Sequence, residues 1–233
     1  MIKVDNIEVF NFEGAIRGMR NPMNSWHKSD SYRGCEYNRR CDDCTTRDVS
    51  CQKLTEPYVI GANDLGLMQR LYKGGSEHRK YLRQIMVCMT IEAPLYWFKE
   101  FDTYKVGTTA NSTSTMHKIH AKEFDFDDFS CEHLKNETER HEQLNSIDLL
   151  RIIIKSLNYY RKLFIETKDK RYWWQMIQLL PSSYNQTRTI TMNYENVMNM
   201  IHQRENHKLD EWREFVKILR SLPYVMEIRG ENQ

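Results

Sequence analysis

Four cysteines in a polar segment could together hold one tetrahedral zinc ion: Cys35, Cys41, Cys44 and Cys51. Their spacing places one CxxC pair between two further thiols, and it matches no common zinc finger. An iron–sulfur cluster and free thiols are the alternatives. The surrounding insertion, at about 21–57, has many charges and no apolar period, so it cannot form a hydrophobic core of its own. Binding of a metal would instead stabilise its folded conformation.

A run of small hydroxyl and amide side chains, TTANSTSTM, begins at Thr108. Such side chains can donate hydrogen bonds to phosphate oxygens, which makes the run a candidate phosphate-binding loop. An ordinary polar turn would have the same composition. The sequence alone leaves both interpretations open.

Two longer pieces carry a resemblance to a known family. The first, APLYWFKEFDTYKVGTTANSTSTMHK, runs from Ala93 to Lys118, and the second, RYWWQMIQLLPSSYNQTRTITMNYENVMNMIHQRENHKLDEW, runs from Arg171 to Trp212. In order and spacing they resemble the two signature regions of the flavin-dependent thymidylate synthases, with a weaker echo in AIRGMR at 15–20. The resemblance covers about half of the chain and suggests a divergent branch of that superfamily.

The resemblance implies an α+β fold in which a small antiparallel sheet packs against long helices. It also implies an enzyme that converts dUMP to dTMP, taking the carbon from methylenetetrahydrofolate and the hydride from reduced FAD, with NADPH as a further cofactor. Members of the family are homotetramers whose active sites combine residues of several subunits. A pyrimidine nucleotide is the ligand that this resemblance predicts.

The resemblance assigns roles to particular residues of this chain. Arg204 falls on the arginine that binds the uracil ring and is the catalytic candidate. The predicted FAD ligands are His78, Lys105, Asn193 and Asn199. The predicted substrate ligands are Thr108, Asn111, Thr113 and Arg204.

Simpler roles exist for the same residues. Asn193 and Asn199 could cap or bridge helices, and His78 could be a structural loop histidine after a Gly-Gly helix stop. Arg204 could form a surface ion pair with Glu205 or Glu211. Trp173 and Trp174 are better explained as core residues than as a stacking platform.

The chain departs from the family at several cationic positions. The Arg-His-Arg triplet of the family is Thr103-Tyr104-Lys105 here, and two further arginine positions are Thr115 and Ile177. Because charged bidentate bonds are the strong ones, these losses weaken a phosphate site. The candidate replacement cations are Lys105, Lys118, Arg188, Arg17 and Arg20.

Three hypotheses for the function follow. The first is a thymidylate synthase-like enzyme or one with related chemistry on a pyrimidine nucleotide. The second, favoured by the missing triplet, is a non-catalytic flavin- or nucleotide-binding protein on the same scaffold. The third is an interaction module organised by the cysteine insertion.

Composition narrows the class of protein. A length of 233 residues predicts one domain, 1–233, with one core. The net charge of +2 does not favour a nucleic-acid-binding protein. No apolar run approaches the roughly 18 residues of a membrane helix, and no signal pattern opens the chain, so a cytoplasmic protein without a membrane partner is expected.

Periodicity predicts the elements that must position these residues. Strands are expected over 2–12, 83–92 and 187–192, and a long amphipathic helix is expected from Ser146 to Ile165. Shorter helices are predicted near 13–20, 63–73, 94–101, 169–180, 194–205 and 208–221. Asn63 or Asp64 is the predicted cap of the second helix, and 121–144 is predicted to be a surface connector.

Overall fold

A computed structural model of the chain describes residues 2–34, 58–137 and 144–231. In chain order the elements within these ranges are β1 (Lys3–Phe10), α1 (Phe12–Arg20), β2 (Tyr32–Arg33), β3 (Tyr58–Val59), α2 (Ala62–Lys73), β4 (Met86–Pro94), α3 (Leu95–Phe101), β5 (Thr109–Ser112), α4 (Ser146–Thr167), α5 (Lys170–Leu179), β6 (Asn185–Asn193), α6 (Tyr194–Arg204), α7 (Asp210–Arg220) and α8 (Val225–Arg229).

The strands form a small antiparallel sheet in the order β1-β4-β6-β5 and a separate pair, β2 with β3. The two central strands of the larger sheet come from sequence with a β pattern. MVCMTIEAP in β4 alternates between half-buried and buried positions, and NQTRTITMN in β6 ends in two buried residues. The predicted α+β class is confirmed.

The chain forms two compact units. The first comprises Met1–Lys3, Ile91–Thr103 and Asn111–Arg188, and the second comprises Val4–Thr90, Tyr104–Ala110 and Thr189–Gln233. The prediction of a single domain stays a prediction.

The first unit has its own core around α4 and α5. Asn145 caps α4 by accepting a hydrogen bond from the backbone of Asp148, and the helix buries one apolar stripe. The buried members of this cluster are Ile119, Phe124, Phe129, Leu150, Ile154, Leu157 and Met176.

Two expectations for the first unit were wrong. The segment 121–144 is not only a surface connector, because Phe124 and Phe129 belong to the core. Trp174 is not a core residue, since 43% of it is exposed in the middle of the amphipathic helix α5. Its neighbour Trp173 is half-buried, and its indole donates to the backbone oxygen of Met116.

The second unit is built around buried aromatic rings. Phe12 of α1 meets the edges of Tyr194 and Tyr224 at centroid distances of 5.8 and 5.5 Å. Edge-to-face contacts of this kind add to the stabilisation from burial. They place α1 against the start of α6, the helix that carries the predicted ligands Asn199 and Arg204 and is capped by Asn193.

A buried ion pair also shapes the second unit and corrects the predicted helix cap. Asp64 is completely buried, receives Arg20 Nε at 2.6 Å, and accepts further bonds from Ser29 and Ser31. It therefore does not cap α2, and neither does Asn63, because the helix begins at Ala62 with Gly61 in the N-cap position. Instead the carboxylate of Asp30 accepts the backbone N–H groups of Asn63 and Asp64.

Candidate functional site

The start of α6 carries the first predicted ligand, Asn193. Its side chain is buried and caps the helix, because Oδ1 accepts the backbone N–H of Asn196 at 3.0 Å. Its Nδ2 lies against Gly107, so closely that a Cβ at that glycine would be 2.3 Å away. Gly107 also has a φ of +72°, and both facts require glycine.

Asn196, which the sequence analysis overlooked, connects α6 to the turn before β5. Its Nδ2 donates to the backbone oxygen of Val106 at 2.7 Å and to Thr108 Oγ1 at 2.9 Å. The side-chain amide of Asn196 therefore holds the backbone and the first hydroxyl at the start of the run that begins at Thr108. The three-residue spacing from Asn193 was a signal that could have identified it, because residues at i and i+3 share a helix face.

Arg204 ends α6 and is half-buried against two aromatic side chains. Its guanidinium carbon lies 4.9 Å from the ring centre of Trp212 and 5.6 Å from that of Tyr104. Its Nε donates to the Tyr104 hydroxyl at 3.0 Å. The carboxylate of Glu205 forms an ion pair with Arg220 at 2.7 Å. Arg204 is thus a fixed, planar cation, the kind of group that orients a flat acceptor.

Asn199 lies five residues before Arg204 on α6 and is half-buried. Its Oδ1 accepts a long hydrogen bond of 3.5 Å from Arg79 Nη2. Arg79 also lies beside Glu195, with Nε 3.4 Å from Oε1, but Nε is buried without a hydrogen bond. The Arg79 Nε–H group is therefore close to the Glu195 carboxylate but is not aligned for a hydrogen bond with it.

His78 is exposed and lines a cavity of about 430 Å³ in the second unit. Met19, Leu71 and Tyr81 give this cavity apolar walls, and Lys80 adds a cation. Burial raises the pKa of Tyr81 far above its ordinary value, so its phenol stays protonated. The volume and mixed lining fall within the range of small-molecule sites.

The other predicted ligands are distributed over both units. Lys105 is exposed and Thr108 is half-buried, and both belong to the second unit with His78, Asn193, Asn199 and Arg204. Asn111 and Thr113 belong to the first unit. Thr113 bonds to β6, since its backbone N–H donates to Thr187 and its backbone oxygen accepts from Gln186. The roles of these residues as ligands stay predictions.

Two of the candidate replacement cations already have carboxylate partners. Arg20 is held by Asp64 in the buried pair. Arg188 binds Asp102 at 2.7 Å and stacks on Phe98 at 4.0 Å. Lys105 and Lys118 are exposed and remain the better candidates for a phosphate.

The predicted zinc ligands Cys35, Cys41, Cys44 and Cys51 lie outside the described residues. Within ranges 2–34, 58–137 and 144–231, no cluster of three metal-binding side chains occurs. Cys88 and Cys131 are half-buried free thiols, and burial is the main cause that raises the pKa of Cys131. In the same ranges no helix is long and apolar enough to cross a membrane.

The described residues suit a flavin in their donor chemistry. The ring edge of a flavin alternates acceptors and donors, and the amide of Asn199 and the imidazole of His78 can match both kinds. Arg79, whose Nη2 donates to the Asn199 amide, adds guanidinium donors of the kind that flavin carbonyls accept. Lys80 and Lys105 are exposed cations that suit a diphosphate.

Comparison with known proteins identifies the fold. No family model matches the chain, and no curated protein matches it. Among solved structures, it is similar to the flavin-dependent thymidylate synthase ThyX from Helicobacter pylori complexed with FAD and dUMP, with a TM-score of 0.59 and 16% identity over 98% of this chain and 96% of that chain. A second structure of the Helicobacter pylori protein with FAD and dUMP gives the same TM-score and identity and is covered over 95%. The chain therefore has the fold of the flavin-dependent thymidylate synthases.

Proposed function

We propose that this protein binds FAD and a pyrimidine nucleotide and carries out the reductive methylation of dUMP to dTMP, or related chemistry on a pyrimidine nucleotide. The observation that carries the proposal is the guanidinium of Arg204, held against Tyr104 and Trp212 at the end of α6. The fold adds support, because the similar Helicobacter pylori structures contain FAD and dUMP.

Arg204 is the proposed catalytic residue and pyrimidine ligand. Nucleophilic chemistry at a uracil ring places negative charge on a ring carbonyl, and a fixed donor lowers the energy of that charge. Arginine suits this role because it stays protonated and presents its donors in one plane. The rings of Tyr104 and Trp212 lie against the guanidinium and help to keep its plane in position.

The residues proposed to hold FAD are His78, Asn193, Asn199 and Lys105. Asn193 can contribute only its Nδ2 edge, since Oδ1 caps α6. Asn199 and His78 offer an amide and an imidazole, and Lys105 an exposed ammonium group. When bound, the flavin supplies a hydride, and methylenetetrahydrofolate and NADPH are the proposed carbon donor and reductant.

Thr108 is proposed to bind the substrate phosphate. Its Oγ1 already accepts a bond from Asn196, so the hydroxyl proton is available to a phosphate oxygen. Lys105, three residues earlier, accepts the backbone N–H of Thr108 at its carbonyl and so belongs to the same turn. This turn, just before β5, therefore carries both a hydroxyl and an ammonium side chain.

The experiment that tests the proposal begins with the molecules that the purified protein carries. Denaturation should release FAD, and dUMP should bind the holoprotein at micromolar concentration. With methylenetetrahydrofolate and NADPH, dUMP tritiated or deuterated at carbon 5 should lose the label and yield dTMP. If the protein binds neither flavin nor nucleotide at these concentrations, the proposed function is excluded.

The second candidate is a flavin- or nucleotide-binding protein without catalysis. The observation that favours it is Tyr104, which stands in the place of the family's central triplet residue and whose hydroxyl is engaged with Gln203 and Arg204. Binding of FAD and dUMP without release of label would support this alternative over the enzyme.

We further propose that the protein is a homotetramer, because the resemblance implies sites that combine several subunits. Light scattering at micromolar concentration should give four times the chain mass of 28.1 kDa. A monomer that still binds FAD and dUMP would contradict the assembly but not the ligands.

A further inference from the structure

Tyr104 has two hydrogen bonds through one hydroxyl group. The hydroxyl donates to Gln203 Oε1 at 2.8 Å and accepts from Arg204 Nε at 3.0 Å. Tyr104 as a whole is 9% exposed, and its ring packs edge to face with Trp212 at a centroid distance of 5.9 Å. The hydroxyl is therefore the one polar atom of a buried ring, and it joins two consecutive residues of α6.

The direction of these bonds follows from the chemistry of the groups. A phenol has one proton and accepting lone pairs, whereas a guanidinium can only donate. Donation to the Gln203 oxygen therefore turns the lone pairs of Tyr104 towards Arg204 Nε. Donating and accepting at the same oxygen strengthens both bonds, so the chain from Gln203 through Tyr104 to Arg204 is more rigid than either bond alone.

We propose that Tyr104 is a positioning residue that fixes the guanidinium plane of Arg204 for a pyrimidine, with Gln203 as its outer support. The proposal rests on the proposed function, in which Arg204 binds the base. Tyr104 engages Nε and the two rings lie against the guanidinium, so the orientation in which Arg204 meets a base depends on the Tyr104 hydroxyl. The amine donors of a lysine could not reproduce this orientation.

A packing role alone would make a different prediction. The contact between the Tyr104 and Trp212 rings accounts for burial of the ring, and phenylalanine would preserve it. The hydroxyl bonds are what phenylalanine removes. Tyr104→Phe therefore separates positioning of Arg204 from packing of the ring.

The first measurement does not depend on any ligand. The rate at which phenylglyoxal modifies Arg204 is followed by peptide mass spectrometry in the wild type, in Tyr104→Phe and in Tyr159→Phe. Tyr159 is 60% exposed on α4 and serves as the matched loss of a hydroxyl. Arg204 should react several-fold faster in Tyr104→Phe alone, while Arg213, whose side chain is 46% exposed, keeps its rate as the internal reference.

The second measurement is the calorimetric affinity for dUMP in the same three proteins. Loss of a hydrogen bond to a charged group predicts about tenfold weaker binding in Tyr104→Phe. An unchanged modification rate at Arg204 overturns the positioning role. If Arg204 is modified faster in Tyr104→Phe but the affinity for dUMP is unchanged, Tyr104 does not contribute to binding of the base. Absence of dUMP binding in the wild type contradicts the proposed function, and a raised Arg204 rate would then still establish Tyr104 as the residue that holds Arg204.

Discussion

Asn193 combines a structural contact with a proposed flavin contact, and the two can be separated by substitution. Its Oδ1 caps α6 through the backbone N–H of Asn196, while its Nδ2 is the group proposed to meet the flavin. Asn193→Ala removes both groups. Asn193→Ser keeps an oxygen that can cap the helix but has no amide donor.

The structure sets the expected magnitudes. Loss of the cap in Asn193→Ala should lower the free energy of unfolding by about 1 kcal/mol, whereas Asn193→Ser should stay close to the wild type. Loss of the amide from a buried flavin edge should weaken FAD binding by about 1–3 kcal/mol in both variants, or roughly 5- to 150-fold. Urea denaturation of the apoprotein measures the first effect, and flavin fluorescence titration measures the second.

The serine variant decides between the two roles. Wild-type FAD affinity in Asn193→Ser, with a reduced affinity only in the less stable Asn193→Ala, would show that Asn193 is a helix cap and not a ligand. Weak FAD binding in both variants, with stability preserved by serine, is the expected result.

Three further predictions concern other residues. Arg204→Lys should weaken dUMP binding although the charge is kept, and equal affinity by calorimetry would contradict a role at the base. About one zinc per chain is expected by metal analysis, lost when Cys41 and Cys44 are changed to Ser. Burial would raise the pKa of Asp64, but hydrogen bonds from Ser31, Ser29 and Arg20 outweigh burial and lower it. Its contribution to stability is therefore full above the unfolded pKa of about 3.9 and is lost as pH falls through the lower folded value. Asp64→Asn should flatten that acid limb in urea unfolding, and an unchanged pH profile would contradict the assignment.

The long elements could be predicted from the sequence because their periodicity is local. The helix predicted from Ser146 to Ile165 extends to Thr167, and its cap, Asn145, lies directly before it. The strand predicted at 83–92 corresponds to β4, Met86–Pro94, in which one face is buried and the other is half-buried. The helix predicted near 194–205 corresponds to α6, Tyr194–Arg204.

The polar partnerships could not be predicted because they connect residues far apart in the chain. Asp64 looked like a cap, but its carboxylate pairs with Arg20, 44 residues away. Tyr104 looked like a lost ligand, and only the fold shows its bond to Arg204. The short strand β5 was missed because its four residues are exposed and lack an apolar alternation.

The substitutions at the family's triplet have different consequences for a base and for a phosphate. Tyr104 gives the guanidinium of Arg204 an acceptor and an aromatic neighbour, so the cation proposed to bind the base is better fixed than a solvent-exposed arginine would be. Thr103 and Thr115 provide no charge where the family has arginine, and Lys105 lacks the bidentate geometry that binds phosphate strongly. Recognition of the ring therefore has more physical support in this chain than recognition of the phosphate, which favours related chemistry on a pyrimidine over strict selection for dUMP.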